Sequence, residues 1–259
     1  MLRMRIRIGN AALVLAAALA AALAAAVPTA SRADRRYYGE TYGAVTAPRG
    51  SLDVELWTTW YEPPRGSSGA PGLWRHQLEL ETGITDRWDL AAYGVVRQIE
   101  GADAEFEAVK LETRYALAAP GTWPVDPVLY LEVQKSFVDE KPISIEEKLI
   151  LGKDLGRLNL SLNVAAEQEL EDGEAELEWE YALGSSWEIV PALRLGGELF
   201  GAVAEEEVAP GREETKAPLW AGPAASVAFG RVWLVLAAGF GLNDESDALR
   251  ARAILAFQL

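Results

Sequence analysis

The chain has 259 residues, with 24 Lys+Arg against 39 Asp+Glu, one histidine and no cysteine. Its formal net charge of −15 repels nucleic-acid phosphates, and no basic patch offsets this, so no nucleic-acid partner is expected. The absence of cysteine excludes disulfides, thiolate metal sites and a lipid-modified N-terminal cysteine.

In chain order, Arg3, Arg5 and Arg7 precede an uninterrupted apolar run (Leu13, Val14, Leu15, Leu19, Leu23) that reaches Val27. Small residues follow at Ser31 and Ala33, at −3 and −1 of a cleavage site before Asp34. This layout predicts a secretory signal peptide over residues 1–33. The competing reading, a retained membrane helix, sits near the lower length limit for spanning, and alanine contributes little insertion energy. Cleavage would leave 20 basic and 39 acidic residues, a net charge of −19. After residue 33 no apolar stretch approaches the roughly 20 residues of a spanning helix. A membrane form must therefore use strands.

Residues 34–49 are polar and aromatic without a period and are expected to form a short periplasmic lead-in. Residues 50–259 predict a transmembrane β-barrel of about twelve strands. The spans are 51–61, 73–83, 88–98, 104–117, 127–138, 142–153, 157–168, 173–183, 187–200, 217–229, 231–242 and 248–259. The fold class is thus all-β, an antiparallel up-and-down barrel. The clearest strand is the eighth: Glu174, Glu176, Glu178 and Glu180 alternate with Ala175, Leu177, Trp179 and Tyr181. At about 100° per residue a helix would scatter those glutamates, whereas a strand gives them one face.

The connections alternate between mostly compact turns, such as 83–87, 154–156 and 184–186, and segments that are longer or more acidic, such as 62–72 and 201–216. Outer-membrane barrels have short periplasmic turns and longer external loops, and an even strand number leaves both termini periplasmic. Trp88, Trp123, Trp187 and Trp233 fall at the periplasmic strand ends, and Trp60, Trp74 and Trp220 at the external ends. They are expected to form two aromatic girdles, although strand-end tryptophans also cover soluble cores. The strand count, the alternating connections and the tryptophans favour apolar-out over a sandwich with its apolar face inward. Pro191 and Pro223 cut against the ninth and tenth spans, because each forfeits a ladder donor; Gly196, Gly197 and Gly222 suggest a bulge.

The segment GITDRWDL at 83–90 and the AGP at Ala221–Pro223 resemble segments of the outer-membrane barrel family associated with the phenol-degradation meta pathway. That resemblance implies an outer-membrane barrel of transporter type. Families of this kind generally end in an aromatic residue read by the barrel-assembly machinery; here the last residue is Leu259, with Phe257 two positions earlier.

With apolar-out, the polar faces line the lumen. The expected inward acids are Asp53, Glu55, Glu79, Glu81, Glu112, Glu132, Glu146, Glu174, Glu176, Glu178, Glu180, Glu188 and Glu198. The expected inward bases are Lys110, Arg114, Lys148, Arg194, Arg250 and Arg252. Closure of the last strand on the first is expected to set Arg250 and Arg252 beside the strand of Asp53 and Glu55, with Lys110 and Arg114 one strand from Glu132. Cross-strand opposite charges are favourable by a few tenths to about 1 kcal/mol.

The functional reading is a passive, porin-like channel for small cationic or neutral solutes, set in outer-membrane lipids, with no cofactor or metal. The alternative is a structural or surface-interaction barrel whose charges merely cross-brace the lumen, the acidic 201–216 loop being its working surface. A lipid hydrolase is a third reading, resting on His76 alone, which lacks a nucleophile at motif spacing. Glu205, Glu206 and Glu207 read as a solvated loop or a divalent-cation contact.

Overall fold

The computed structural model describes residues 35–259, apart from 68, 139–142, 172–173 and 210–211, and omits the side chains of 171, 174–176, 206–209 and 212–213. The expected signal peptide lies outside the described residues.

Among the described residues thirteen strands form: β1 (Leu52–Pro64), β2 (Leu73–Thr85), β3 (Trp88–Ile99), β4 (Glu105–Ala116), β5 (Asp126–Ser136), β6 (Ile143–Leu155), β7 (Leu158–Glu171), β8 (Glu174–Val190), β9 (Leu193–Ala209), β10 (Arg212–Lys216), β11 (Leu219–Phe229), β12 (Val232–Gly241) and β13 (Asp247–Gln258). Every pairing between these strands is antiparallel. β13 pairs with β1, and β9 pairs with both β8 and β11, so the sheet closes. β10 pairs only with β9 and extends that strand into a hairpin above the rim. The closed wall therefore has the twelve strands expected.

Closure satisfies the backbone without water and leaves no edge in the wall. The outer face is a belt of exposed apolar side chains, among them Leu56, Leu78, Leu111, Leu131, Leu183 and Leu236. Around a water-soluble protein such a belt would be an aggregation surface; around a closed barrel of this strand length it fits lipid. Leu131 is central to β5 and 41% exposed. Leu131→Arg should cost about 2–4 kcal/mol in an unfolding titration from lipid vesicles. A loss well below about 1 kcal/mol would contradict the lipid-facing assignment.

Three expectations about the wall need correction. The turn expected at 184–186 is absent: Gly184, Ser185 and Ser186 lie inside β8, paired with Ser161, Leu160 and Asn159. The chain turns instead at Pro191–Ala192, so Pro191 forfeits nothing. Gly184 is small for another reason, since a Cβ there would stand 2.8 Å from the Tyr38 ring. The expected 201–216 loop is largely the β9–β10 hairpin. Pro223 does lie within β11, on its outward side, and the β11–β12 register skips Gly222 and Pro223. The register is the same on either side of them, so the expected bulge is absent; a Cβ on Gly222 would lie 1.7 Å from the Ala238 carbonyl oxygen, so this close approach of two strands needs glycine.

The tryptophan girdles also divide. Trp74, Trp88, Trp123 and Trp187 are exposed, and Trp60 packs outward against Trp74 with ring centroids 4.9 Å apart. Trp220 and Trp233 point inward and are 5% and 1% exposed. The two-residue period decides this, because Leu234, next to Trp233, sits on the outer side with the exposed Leu236. Trp233 joins Trp57, Val235, Ile254 and Ala256 in an internal apolar cluster.

The largest correction concerns residues 34–49. Rather than hanging below the barrel, this segment, described from Arg35 onward, enters it between Arg35 and Ala47 and folds against the inner wall. Arg35 donates to the Pro191 carbonyl at one barrel end, and Ala47 N donates to Asp89 near the start of β3 at that same end. Between them Gly39, Glu40 and Thr41 reach Glu198 and Arg252 well inside. The segment is thus a loop inserted from the end that carries the chain's entry into β1.

Candidate functional site: the barrel interior

The wall has two kinds of inner surface. β9, β11 and β12 present mostly small side chains, including Ala202, Ala224, Ser226 and Ala237, and this sector leaves room for the inserted segment. The rest of the wall carries most of the inward charges, between apolar patches such as Ala116, Val128, Tyr130 and Ile150. One register row runs Glu112, Glu132, Glu146, Glu167 and Glu178 across β4, β5, β6, β7 and β8, each glutamate directly opposite the next. Like charges placed this way repel. Bases from neighbouring rows offset part of that: Lys110 meets Glu132 at 2.9 Å, Lys148 meets Glu146 at 2.6 Å and Arg114 meets Glu112 at 3.4 Å.

Of the expected inward residues, Asp53, Glu55, Glu79, Glu81, Glu112, Glu132, Arg114, Arg194 and Glu198 are buried. Lys110, Glu146, Lys148, Glu178, Glu180, Glu188, Arg250 and Arg252 are half-buried. The side chains of Glu174 and Glu176 lie outside the described residues, as do those of Glu206 and Glu207. Trp179 is exposed on the outer face of β8, in keeping with alternation.

At the seam β13 pairs with β1 as expected, and the register sets the individual partners. Arg250 is opposite Tyr61 and Arg252 opposite Thr59, while Asp53 and Glu55 face Gln258 and Ala256. The two arginines therefore stand further along the seam than those acids. Glu55 and Glu79 are served instead by Arg36 of the inserted segment, at 3.1 and 3.5 Å, and by Trp57 Nε1, at 3.0 Å to each. Arg36 also stacks over the Tyr42 and Trp57 rings at 4.4 and 4.6 Å. Nearby, Arg114 pairs with Asp89 at 2.8 Å and with Glu81. Glu55, Glu79 and Glu81 bring carboxylate oxygens close enough together to suit a cation, but Arg36 and Arg114 supply positive charge there.

The segment is held mainly through its backbone. Glu198 accepts from the amides of Gly39, Glu40 and Thr41 at 2.7, 2.8 and 2.7 Å, and from Thr41 Oγ1 at 3.0 Å. Asn163 accepts from Tyr42 N at 2.6 Å and donates to Tyr42 O at 3.0 Å. Ser226 Oγ donates to the Arg36 carbonyl at 2.7 Å, and Arg252 donates to that of Gly39 at 2.8 Å. Burial keeps the Tyr38 hydroxyl above its usual range, so it stays a neutral donor to Asn159. Buried backbone outside a sheet needs such partners, and polar wall residues provide them.

Sequence reasoning missed Asp89, Glu167 and Glu169 as inward acids, although the two-residue period placed them; it also missed Glu107, which the register shift opposite Val95 and Val96 buries against that period. It also missed Tyr93 and Tyr130, whose hydroxyls donate to Glu112 and Glu132. His76 lies on the outer side, where its ring stacks on Trp74 and its Nδ1 meets Thr58 Oγ1 at 3.1 Å.

No family model matches the sequence, and no curated protein matches it significantly. Solved structures do share the fold. An outer membrane channel from Pseudomonas putida F1 aligns at TM-score 0.60 and 11% identity, covering 83% of this chain and 98% of that one. The NanC porin aligns at TM-score 0.55 and 10% identity, covering 80% and 100%. The translocator domain of the autotransporter NalP from Neisseria meningitidis aligns at TM-score 0.52 and 11% identity, covering 96% and 97%. At such identities the likeness establishes the outer-membrane-barrel fold.

Proposed function

We propose that the protein is a passive outer-membrane channel for small cationic or neutral solutes, narrowed on the periplasmic side by its own N-terminal segment. The observation that carries this reading is the five-glutamate row on the inner wall. Charged side chains line a water-accessible path in channels of this type and set the sign of the permeant ion. Carboxylates at this density need water in the upper lumen if they are to carry charge, because dry burial would neutralise them. The outer-membrane channel and the porin that share the fold support the same reading.

The inserted segment is the one observation that favours a non-transporting barrel. It occupies the periplasmic half, and its contacts would brace the wall equally well. Planar bilayers separate the two: folded protein should conduct, and the absence of current at any applied voltage would leave the structural barrel as the better reading. The resemblance to the phenol meta-pathway family adds no solute, and both segments have local reasons to exist. In GITDRWDL, Asp86 and Arg87 form a turn and Asp89 anchors Ala47 and Arg114. In the AGP, Gly222 allows the close approach of the Ala238 carbonyl, and Pro223 stands on the outward side of β11.

A further inference from the structure

Beside the tip of the inserted segment, a cavity of about 240 Å³ lies against the wall from β8 to β13, and Lys148 of β6 and Asn163 of β7 also line it. Its lining is ordered by chemistry. Glu178 and Glu180 come from β8, Phe200 from β9, Trp220 from β11 and Arg250 from β13, with Glu40 contributed by the segment. Acid, aromatic pair and base therefore follow one another around a single hollow.

The two charged ends are underused. The Arg250 guanidinium stands over the Trp220 ring at 4.1 Å, with the Tyr61 and Phe200 rings at 5.1 and 5.5 Å. Phe200 in turn stacks on Trp220, with centroids 5.4 Å apart and planes 13° apart. The aromatic side chains thus hold the guanidinium by its face and leave its donor edge. Arg250 Nε is buried without a hydrogen-bond partner among the described residues, and the one ion pair described for Arg250, to Asp247, is long at 3.6 Å. At the other end, no hydrogen bond or ion pair is described for Glu178 or Glu180; the neighbouring base Lys148 is committed to Glu146 at 2.6 Å, and Glu40 to Arg252 at 2.8 Å.

We propose that this cavity binds small zwitterions, meaning amino acids and short peptides. The ligand carboxylate accepts from the Nε edge of Arg250, and its ammonium donates to Glu178 and Glu180. A simple cation would leave the Arg250 edge unsatisfied and meet its charge; a simple anion would meet two glutamates. Only a ligand with both charges satisfies both ends, because charge-assisted hydrogen bonds are strong when made and costly when left unmade. The inference deepens the channel reading by naming a solute class, since a zwitterion is neutral overall.

The test is calorimetric titration of the purified full-length protein with phenylalanine, phenethylamine and 3-phenylpropionate, which share a phenyl group and differ in charge. Phenylalanine should bind at least about tenfold more tightly than either analogue. Arg250→Met should bring phenylalanine down to the level of phenethylamine, and Glu178→Gln with Glu180→Gln to that of 3-phenylpropionate. Arg250→Lys, which keeps the charge without the fork, should fall between. Equal binding of phenethylamine and phenylalanine, or no binding of phenylalanine, would overturn the proposal. Zwitterion binding by a protein that carries no current would support the site while removing the channel reading.

Discussion

Removing residues 35–47 should raise the single-channel conductance severalfold while leaving the barrel folded. The segment contributes no strand to the wall, and the ladders from β1 round to β13 close without it. What it does is fill the space beside the small side chains of β9, β11 and β12, with Tyr38 against Gly184 and Gly39 against Ala237. Its loss also removes Arg36 from Glu55 and Glu79, so the freed volume would be more acidic and wetter. Glu198→Ala should move conductance in the same direction by a smaller step, because three amides and one hydroxyl lose a shared acceptor. Planar-bilayer recordings of the deletion variant decide the point. Unchanged conductance in a folded barrel would remove the segment as the constriction.

The largest stability effect is expected at Arg114. It is 3% exposed and stands among Glu81, Asp89 and Glu112. Arg114→Met would leave three buried carboxylates without their shared counter-charge, a change that costs about 3–5 kcal/mol when one partner of a buried pair is removed. Arg114→Lys should recover part of this, lacking the forked geometry that serves several acceptors. Arg97 is the contrast. Its partner Glu105 is half exposed, so Arg97→Met should cost at most about 1 kcal/mol. Equilibrium unfolding by denaturant from detergent micelles compares them directly, and equal losses for the two methionine variants would contradict the buried-cluster account.

Much of the wall was legible because alternation with a period of two is a local signal. Any strand that shows it reports its own inner and outer residues, and the buried acids Asp53, Glu55, Glu79, Glu81, Glu112 and Glu132 followed from that alone. Trp233 shows the signal outweighing a prior: its strand-end position suggested a girdle, but its neighbour Leu234 had already assigned it inward. Register is less local. Knowing that the last strand pairs with the first does not say that Arg252 meets Thr59 rather than Glu55.

The inserted segment was not legible because it has no period and its partners are remote. Gly39 and Glu198 are 159 residues apart, and Tyr42 and Asn163 are 121 apart. The same segment explains the misplaced turn. Gly184, Ser185 and Ser186 look like turn chemistry, but Gly184 is small so that Tyr38 can lie against β8. Small residues inside a strand can mark a close approach as well as a chain reversal.

The claim on which the rest depends is that solutes pass through a lumen whose field is set by the glutamate row. The reversal potential of the folded protein in a planar bilayer under a potassium chloride gradient tests it most directly. The account predicts a cation-selective potential that moves toward zero when Glu132, Glu146 and Glu167 are changed together to glutamine. An anion-selective potential, or one indifferent to those three substitutions, would contradict it.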